Sequence, residues 1–320
     1  MLYVAVKIIA RIAIKFYCRG LQINNKALLK SKGPLLLASN HPNSFLDAII
    51  LCTIFNQPVH SLARGDAFNG KLISWLLTAF KMLPVYRVTE GVENLEENYK
   101  TFDACKEIFK QNGIVLIFSE GRCINEWHLR PLMKGTARLA ISSWADGIPL
   151  KVLPVGINYN SFERFGKNIR LFFGEFITAD DIELEESHGK SILSLNVVLQ
   201  KQLAPLVFEI GKTDKGTLHQ KLYVAQPPWK KLLLFLPSVA GWLLHAPLYY
   251  PLKKIIYKKT KSTDHFDSVI IALLFFAYPL YVAVLTSVAF LWSDNCYTFL
   301  LFFIFPFTSW SYLQLKRQMD

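Results

Sequence analysis

Acidic residues are missing from two long stretches of this chain of 320 residues, although the whole chain contains 24 of them. Residues 1–46 hold seven lysines or arginines, residues 215–263 hold nine lysines, and both stretches adjoin apolar segments. With a formal net charge of +12, this pattern is typical of a surface that faces anionic lipid. The chain also lacks the motifs of nucleic-acid-binding proteins, so we do not expect that partner.

Paired cysteines and metal-binding motifs are missing as well. The five cysteines are scattered without a Cys-x-x-Cys pair, and their odd number argues against a disulfide framework. The histidines form no HExxH motif and no cluster with cysteine. The sequence therefore predicts no metal site and favours a reducing compartment.

Long uncharged segments lie near the C-terminus. Residues 268–293 and 296–315 lack charge over 26 and 20 positions, which is enough to cross a bilayer. Because only two residues separate them, they predict a transmembrane helical hairpin. Residues 232–252 are uncharged too, but their three prolines favour a membrane-embedded helix that is broken or re-entrant. Basic residues at both flanks place the ends of the hairpin on the cytoplasmic side.

The N-terminal segment predicts an amphipathic helix. Lys7, Arg11 and Lys15 recur every four residues and so share one helix face, and the rest of the segment is almost wholly apolar. Charges that recur through the segment exclude a signal peptide. We expect the helix to lie in the membrane interface with its lysines directed toward headgroups. The alternative is a terminal helix packed on the globular domain.

Apolar runs alternate with helical patterns between these membrane segments. This alternation predicts an α/β fold with a mostly parallel sheet and helices on both faces. The predicted organisation is an interfacial helix over residues 1–20, a globular domain over 21–225 and a membrane-embedded region over 226–320. The predicted strands are residues 34–38, 58–64, 82–87, 114–118, 152–156 and 169–174.

The first chemical motif is the stretch from Asn40 to Asp47. His41 follows an apolar strand, and Pro42 keeps it out of the helix that begins near Ser44, the predicted N-cap. A carboxylate one turn further along can fix the histidine tautomer and steady the imidazolium, which is a general-base arrangement. The ordinary alternative is a turn histidine beside an acid that the helix dipole favours.

This stretch resembles the first motif of the glycerolipid acyltransferases, the lysophosphatidic acid acyltransferase family. The motif of that family is Asn-His, four residues and Asp, whereas five residues separate His41 from Asp47 here. In a continuous helix the extra residue would rotate Asp47 by about 100°. We therefore expect Pro42 and Asn43 to lie in the turn before the helix.

Three more stretches resemble the remaining family motifs, in the family's order. Phe118-Ser119-Glu120-Gly121-Arg122 is similar to the third motif, with serine in the place of proline and one basic residue after the glycine, as in the tafazzin branch. Its continuation matches at Leu129, Lys134 and Gly135. Arg87 matches the arginine that ends the second motif of the family. Arg64 matches the basic residue at the end of the preceding strand. The stretch around Pro154 is similar to the fourth motif.

The resemblance implies a membrane-bound O-acyltransferase. Its donor would be acyl-CoA or acyl carrier protein as co-substrate, with no other cofactor, and its favoured acceptor 1-acylglycerol 3-phosphate, which would yield phosphatidic acid. The resemblance implies that His41 and Asp47 are catalytic. It implies phosphate binding by four basic residues, namely Arg64, Arg87, Arg122 and Lys134. Acceptor binding is implied for Asn40, Glu120 and Gly121, and Pro154 would lie along the acyl-chain pocket.

Other functions remain compatible with the residues. The acceptor could be another lysolipid, such as an amino-acid lipid, because the first and third motifs depart from the family pattern. A non-catalytic lipid-binding membrane protein could keep the same fold. A hydrolase would use water in place of the hydroxyl acceptor. The sequence leaves the oligomeric state open.

Overall fold

The computed structural model describes residues 2–86, 94–182, 188–261 and 263–319. Within these ranges the centre of the fold is one sheet of seven strands, ordered β1-β7-β6-β2-β5-β3-β4. Neighbouring strands run parallel except β6 and β7, which confirms the mostly parallel α/β fold. The strands are β1 (Cys18–Ile23), β2 (Leu35–Ser39), β3 (Val59–Arg64), β4 (Met82–Val85), β5 (Ile114–Phe118), β6 (Lys151–Tyr159) and β7 (Lys167–Phe173).

Helices cover both faces of the sheet, as predicted. One apolar core lies between the sheet and the helices α1 and α2, and a second core lies between the opposite face and α4, α5 and α6. Both cores contain residues of β2 and β5, so the central strands are buried on both sides. The helices of this part are α1 (Leu2–Tyr17), α2 (Ser44–Ile54), α3 (Lys71–Ala79), α4 (Asn94–Lys110), α5 (Lys134–Ala145), α6 (His188–Leu203) and α7 (Lys215–Leu222).

Helix α1 is amphipathic, but its basic residues do not all point away from the protein. Lys7 Nζ donates to Gln57 O at 3.1 Å, and Arg11 donates to Thr53 O and to Phe55 O, the latter at 2.8 Å. The prediction that the lysines of this helix reach toward headgroups is therefore wrong for Lys7, because carbonyl groups at and just beyond the end of α2 attract both Lys7 and Arg11. Helix α1 also exposes apolar residues, namely Leu2, Val4, Ile8, Ile9, Ile12 and Phe16.

Three long apolar helices follow the sheet domain. They are α8 (Pro228–Thr260), α9 (Phe266–Ser293) and α10 (Leu301–Leu315), the last preceded by a helical turn at Cys296–Leu300. Among the described residues, the segments 228–260, 266–293 and 296–315 are each long and apolar enough to cross a membrane. The predicted break in residues 232–252 is absent, since α8 runs through Pro237, Pro247 and Pro251. Apolar helices tolerate such prolines where neighbouring helices pack against them, and α10 packs closely along α8.

Candidate active site

The matched motifs meet at one edge of the sheet. Ser39, at the end of β2, is level with Phe118, at the end of β5. Arg64, at the end of β3, is level with Val85, at the end of β4. Ligands bind in open α/β sheets beyond the carboxyl ends of parallel strands. The fold thus brings the loops after four strands to the edge where a ligand is expected.

His41 and Asp47 form a hydrogen-bonded pair at this edge. His41 Nδ1 lies 2.9 Å from Asp47 Oδ2, and the two side chains are 18% and 0% exposed. The imidazole stacks on the Phe118 ring, with 3.8 Å between centroids and 11° between planes. With Nδ1 held by the carboxylate, the nitrogen left to accept a proton is Nε2. A buried acid thus orients a partly exposed base.

The extra residue between His41 and Asp47 is accommodated in the turn, as expected. Helix α2 begins at Ser44, so Pro42 and Asn43 precede it. The N-cap is Asn43 rather than the predicted Ser44, which has a φ of +49°. The Asn43 backbone N donates to Asp47 Oδ2 at 2.8 Å, so a carboxylate from within the helix satisfies a backbone donor in the turn.

Tyr159 also holds Asp47, through a contact that no pattern in the sequence indicates. Its hydroxyl donates to Asp47 Oδ1 at 2.7 Å from the end of β6. Burial raises the pKa of Tyr159 well above its ordinary value, and the neighbouring Asp47 carboxylate raises it further. The phenol therefore stays protonated and acts as a donor. Asp47 accepts hydrogen bonds from three separate positions on the chain, which restricts the orientation of its carboxylate.

Glu120 is buried and joins the first motif to the third. Its Oε2 accepts from the His41 backbone N at 2.7 Å, and its Oε1 accepts from the Arg130 backbone N at 2.9 Å. Arg130 Nη2 also reaches Oε2 at 2.8 Å. The carboxylate thus binds protein groups that fix the backbone of His41. Sequence reasoning missed Arg130, whose only signal is a position inside the loop of the third motif.

Asn40 is likewise occupied within the protein. Its Oδ1 accepts from Ile157 N at 2.8 Å, and its Nδ2 donates to Ile157 O at 3.0 Å. The side chain is 2% exposed. The amide therefore fastens the loop of the first motif to β6, and this buried pairing leaves it little opportunity to contact a substrate directly.

The basic residues of the motifs occupy different surroundings. Arg64 is exposed and pairs with Asp66, with Nε 3.0 Å from Oδ1. Arg122 is exposed in the loop after β5, and Lys134 is exposed at the first position of α5. Arg87 lies outside the described residues. Arg122 and Lys134 are thus accessible to an anion near the N-terminus of α5, whereas an anion at Arg64 would compete with Asp66.

Gly121 and Pro154 are the two remaining motif residues, and the backbone conformation explains the glycine. Gly121 has a φ of +71°, and a Cβ there would lie 2.9 Å from Met133 Cγ. Both facts favour glycine, since other residues rarely adopt that backbone conformation. Pro154 is buried within β6 and pairs with Ala38 of β2. The strand continues on both sides of this proline.

Cys123 is the cysteine nearest to the pair. Its Sγ accepts a hydrogen bond from Ser44 N at 2.9 Å. Burial raises the pKa of the Cys123 thiol well above its ordinary value, and the Asp47 carboxylate adds to the effect. Because the thiolate is the nucleophilic form, this environment disfavours Cys123 as a nucleophile.

The described part of the chain shows no group of three or more His, Cys, Asp or Glu residues that could hold a metal ion. A cavity of about 640 Å³ lies elsewhere, beside the first turn of α8 and the end of α10, and none of the predicted site residues lines it. The candidate site is therefore defined by the His41–Asp47 pair and the loops around it.

The fold and this pair define an α/β protein with a histidine–aspartate dyad at the carboxyl edge of its sheet. Residues 20–158, which carry all four motifs, match the family described as Acyltransferase. The match covers less than half of the chain, and it makes residues 20–158 similar to the acyltransferases.

Comparison with other proteins adds little beyond the family. No curated protein sequence gives a significant match. Among solved structures, the chain is similar to the 1-acyl-sn-glycerophosphate (LPA) acyltransferase PlsC from Thermotoga maritima, with a TM-score of 0.47 and 15% identity over 63% of this chain and 77% of that chain.

Proposed function

We propose that this protein is a membrane-bound O-acyltransferase that moves an acyl group from a thioester donor, acyl-CoA or acyl carrier protein, to the hydroxyl of a lysophospholipid. The favoured acceptor is 1-acylglycerol 3-phosphate. The observation that carries the proposal is the 2.9 Å contact between His41 Nδ1 and the buried Asp47 carboxylate. The similarity of residues 20–158 to the acyltransferase family supports the reaction class.

The proposed reaction needs one base and no covalent intermediate. His41 Nε2 takes the proton of the acceptor hydroxyl while the oxygen attacks the thioester carbonyl carbon. The new C–O bond forms, the C–S bond breaks, and the imidazolium returns its proton to the leaving thiolate. Asp47 keeps the proton on Nδ1 and stabilises the imidazolium. The protonated Cys123 thiol is consistent with direct transfer.

The proposed phosphate site lies in the loop after β5. Arg122 and Lys134 are exposed there, and α5 begins at Lys134, so its unpaired backbone N–H groups add to the attraction for an anion. Arg64 and Arg87 belong to the same proposal as phosphate ligands, and Arg64 would have to leave Asp66. Glu120 and Gly121 would act by shaping this loop, and Pro154 by lining the acyl-chain pocket.

We place the sheet domain on the cytoplasmic face, with α9 and the segment 296–315 crossing the membrane as a hairpin. Lys316 and Arg317 follow the hairpin, and lysines near the end of α8 precede it, which favours this orientation. The exposed apolar side of α1 would lie against the same bilayer surface. Residues 1–20, 21–225 and 226–320 would then act as interfacial, catalytic and membrane-embedded parts.

Helix α8 is proposed to enter the membrane without crossing it. Near its start, Lys230 Nζ lies 2.9 Å from Gln314 Oε1, close to the end of α10. Near its end, Ile256 packs with Phe266 and Ile270 at the start of α9. A hairpin that crosses twice has these two ends on one side of the bilayer. Both ends of α8 would therefore lie on that side, as in a re-entrant helix.

The proposed activity is tested by measuring thiol release from acyl-CoA with purified full-length protein and a panel of lysolipids. We expect release to depend on the acceptor and to be fastest with 1-acylglycerol 3-phosphate. A preference for an amino-acid lipid would keep the chemistry and replace the acceptor. Release with free fatty acid as product and no acceptor would favour a hydrolase. Lipid binding without thiol release would identify a non-catalytic protein.

A further inference from the structure

The start of helix α9 lies directly against the turn that carries His41. Three residues there, counting the N-cap His265, contact the turn or the first residues of α2: His265 Nδ1 lies 2.8 Å from Ser44 Oγ, Asp267 Oδ2 accepts from Asn43 Nδ2 at 2.9 Å, and Ser268 Oγ accepts from Leu46 N at 3.3 Å. Asp264 accepts from Asn125 N at 3.1 Å in the loop of the third motif. The contacts join positions more than 130 residues apart along the chain.

Asp267 is the central residue of this junction. Its side chain is 0% exposed, and Oδ2 lies 2.5 Å from Nζ of Lys167, which is also fully buried. Lys167 begins β7 and also donates to Ser161 O at 2.6 Å. A buried carboxylate keeps a defined position when it is paired and hydrogen-bonded in this way. Asp267 thus connects the sheet, through Lys167, to the turn, through Asn43.

Asn43 connects Asp267 to the His41–Asp47 dyad. The same residue binds Asp267 through its side chain and Asp47 through its backbone N, at 2.9 and 2.8 Å. Asn43 also lies in the turn that accommodates the additional residue between His41 and Asp47. A turn with one more residue has more backbone freedom, and the contact with α9 removes that freedom.

We propose that Asp267 is a positioning residue, and that the first turn of the membrane helix α9 holds the Asn43 turn so that Asp47 and His41 keep their geometry. The inference deepens the proposed function and rests on it. It assigns a catalytic contribution to the C-terminal membrane region, which would otherwise serve only as an anchor.

The direct test is the turnover of Asn43→Ala in the full-length protein. The substitution removes the side-chain bond to Asp267 and keeps the backbone donor to Asp47. We expect kcat to fall on the order of 100-fold, since small displacements of catalytic groups have effects of this size, while KM for acyl-CoA and the Tm stay close to wild type. Asp294→Asn, a change of carboxylate to amide at the exposed far end of α9, is the control and should be fully active.

A second variant tests Asp267 itself. Asp267→Leu removes the acceptor for Asn43, but alone it would also remove the carboxylate that pairs with the buried Lys167, which destabilises a fold, so it is combined with Lys167→Met. We expect this double variant to lose kcat as Asn43→Ala does. If its Tm shows that it does not fold, Asn43→Ala decides the question alone.

The outcomes separate the two proposals. Wild-type kcat in Asn43→Ala, with His41→Ala inactive, would overturn the positioning role and leave the proposed function intact. Full activity in His41→Ala would instead overturn the proposed function. A loss of kcat in Asn43→Ala at unchanged KM and Tm would support the inference.

Discussion

At the residue scale, His41 is one of several groups that hold the Asp47 carboxylate. Tyr159 and the Asn43 backbone each donate to this carboxylate. The Tyr159 contact does not follow from the spacing of the motif, because Tyr159 lies 112 residues further along the chain. The sequence identified His41 and Asp47 because a known motif carries them. It missed Tyr159, Arg130 and Asp267, because their roles arise from tertiary contacts that leave no local pattern.

Replacing Tyr159 with Phe should slow the reaction without weakening substrate binding. The change removes one of the donors to Asp47, and a hydrogen bond to a charged group contributes about 1.5–3 kcal/mol. We expect kcat to fall about tenfold, the effect of roughly 1.4 kcal/mol on a barrier, with KM unchanged. The matched control is Tyr17→Phe, since the buried Tyr17 hydroxyl has no hydrogen-bond partner among the described residues. Equal kcat values in both variants would contradict the role of Tyr159.

Replacing Cys123 with Ser should leave acyl transfer largely intact. The proposed reaction forms no acyl-enzyme, and the raised pKa of Cys123 disfavours a thiolate. Serine keeps an acceptor for the Ser44 backbone N, which now binds Cys123 Sγ. Steady-state rates of the variant and a search for acylated protein by intact-mass spectrometry check this prediction. A covalent acyl adduct on Cys123, lost in the variant together with activity, would rule out direct transfer.

At the scale of elements, most of the sheet could be predicted from apolar runs bounded by glycine, proline and charge. The apolar run 114–118 predicts β5 with the observed bounds. Strand β1 was not predicted, because residues 18 and 19 continue the pattern of the amphipathic helix. The strand order could not be predicted, since register depends on contacts between distant segments.

Helix α1 should stabilise the domain through Arg11. Its guanidinium caps the C-terminal carbonyl groups of α2. We expect Arg11→Met to lower the free energy of unfolding by about 1.5–3 kcal/mol, as for other hydrogen bonds to charged groups, and so to lower the Tm in detergent. Lys15→Met, an exposed basic residue of the same helix, is the control. A Tm for Arg11→Met that equals that of the control would contradict the capping role.

At the scale of the whole molecule, the apolar C-terminal region contacts the loops of the candidate site through the start of α9. The length and position of the hairpin could be predicted, because an uncharged helix of about 20 residues matches the thickness of the hydrocarbon core of a bilayer. The contact of α9 with the His41 turn could not be predicted from the sequence. Charged and polar residues at the start of α9 have no visible function until the fold places them beside Asn43 and Asn125.

The proposed membrane arrangement predicts which cysteines a membrane-impermeant maleimide reaches. Sealed vesicles that use added acyl-CoA without detergent have the sheet domain on the outside. In such vesicles the exposed Cys296 at the hairpin tip should not react with the maleimide until detergent is added. In a Cys296→Ser background, cysteines introduced by Trp229→Cys and Lys261→Cys should both react at once. These positions lie at the two ends of α8, so protection of one and labelling of the other would mean that α8 crosses the bilayer.

The measurement that tests the central claim most directly is acceptor-dependent acyl transfer by His41→Ala, with diacyl product quantified by mass spectrometry. His219→Ala, which removes an exposed imidazole from α7, is the matched control. We predict that His41→Ala forms no product above the uncatalysed rate, with its membrane insertion and Tm preserved, while His219→Ala matches the wild type. Product formation by His41→Ala at the wild-type rate would show that this imidazole is not the base.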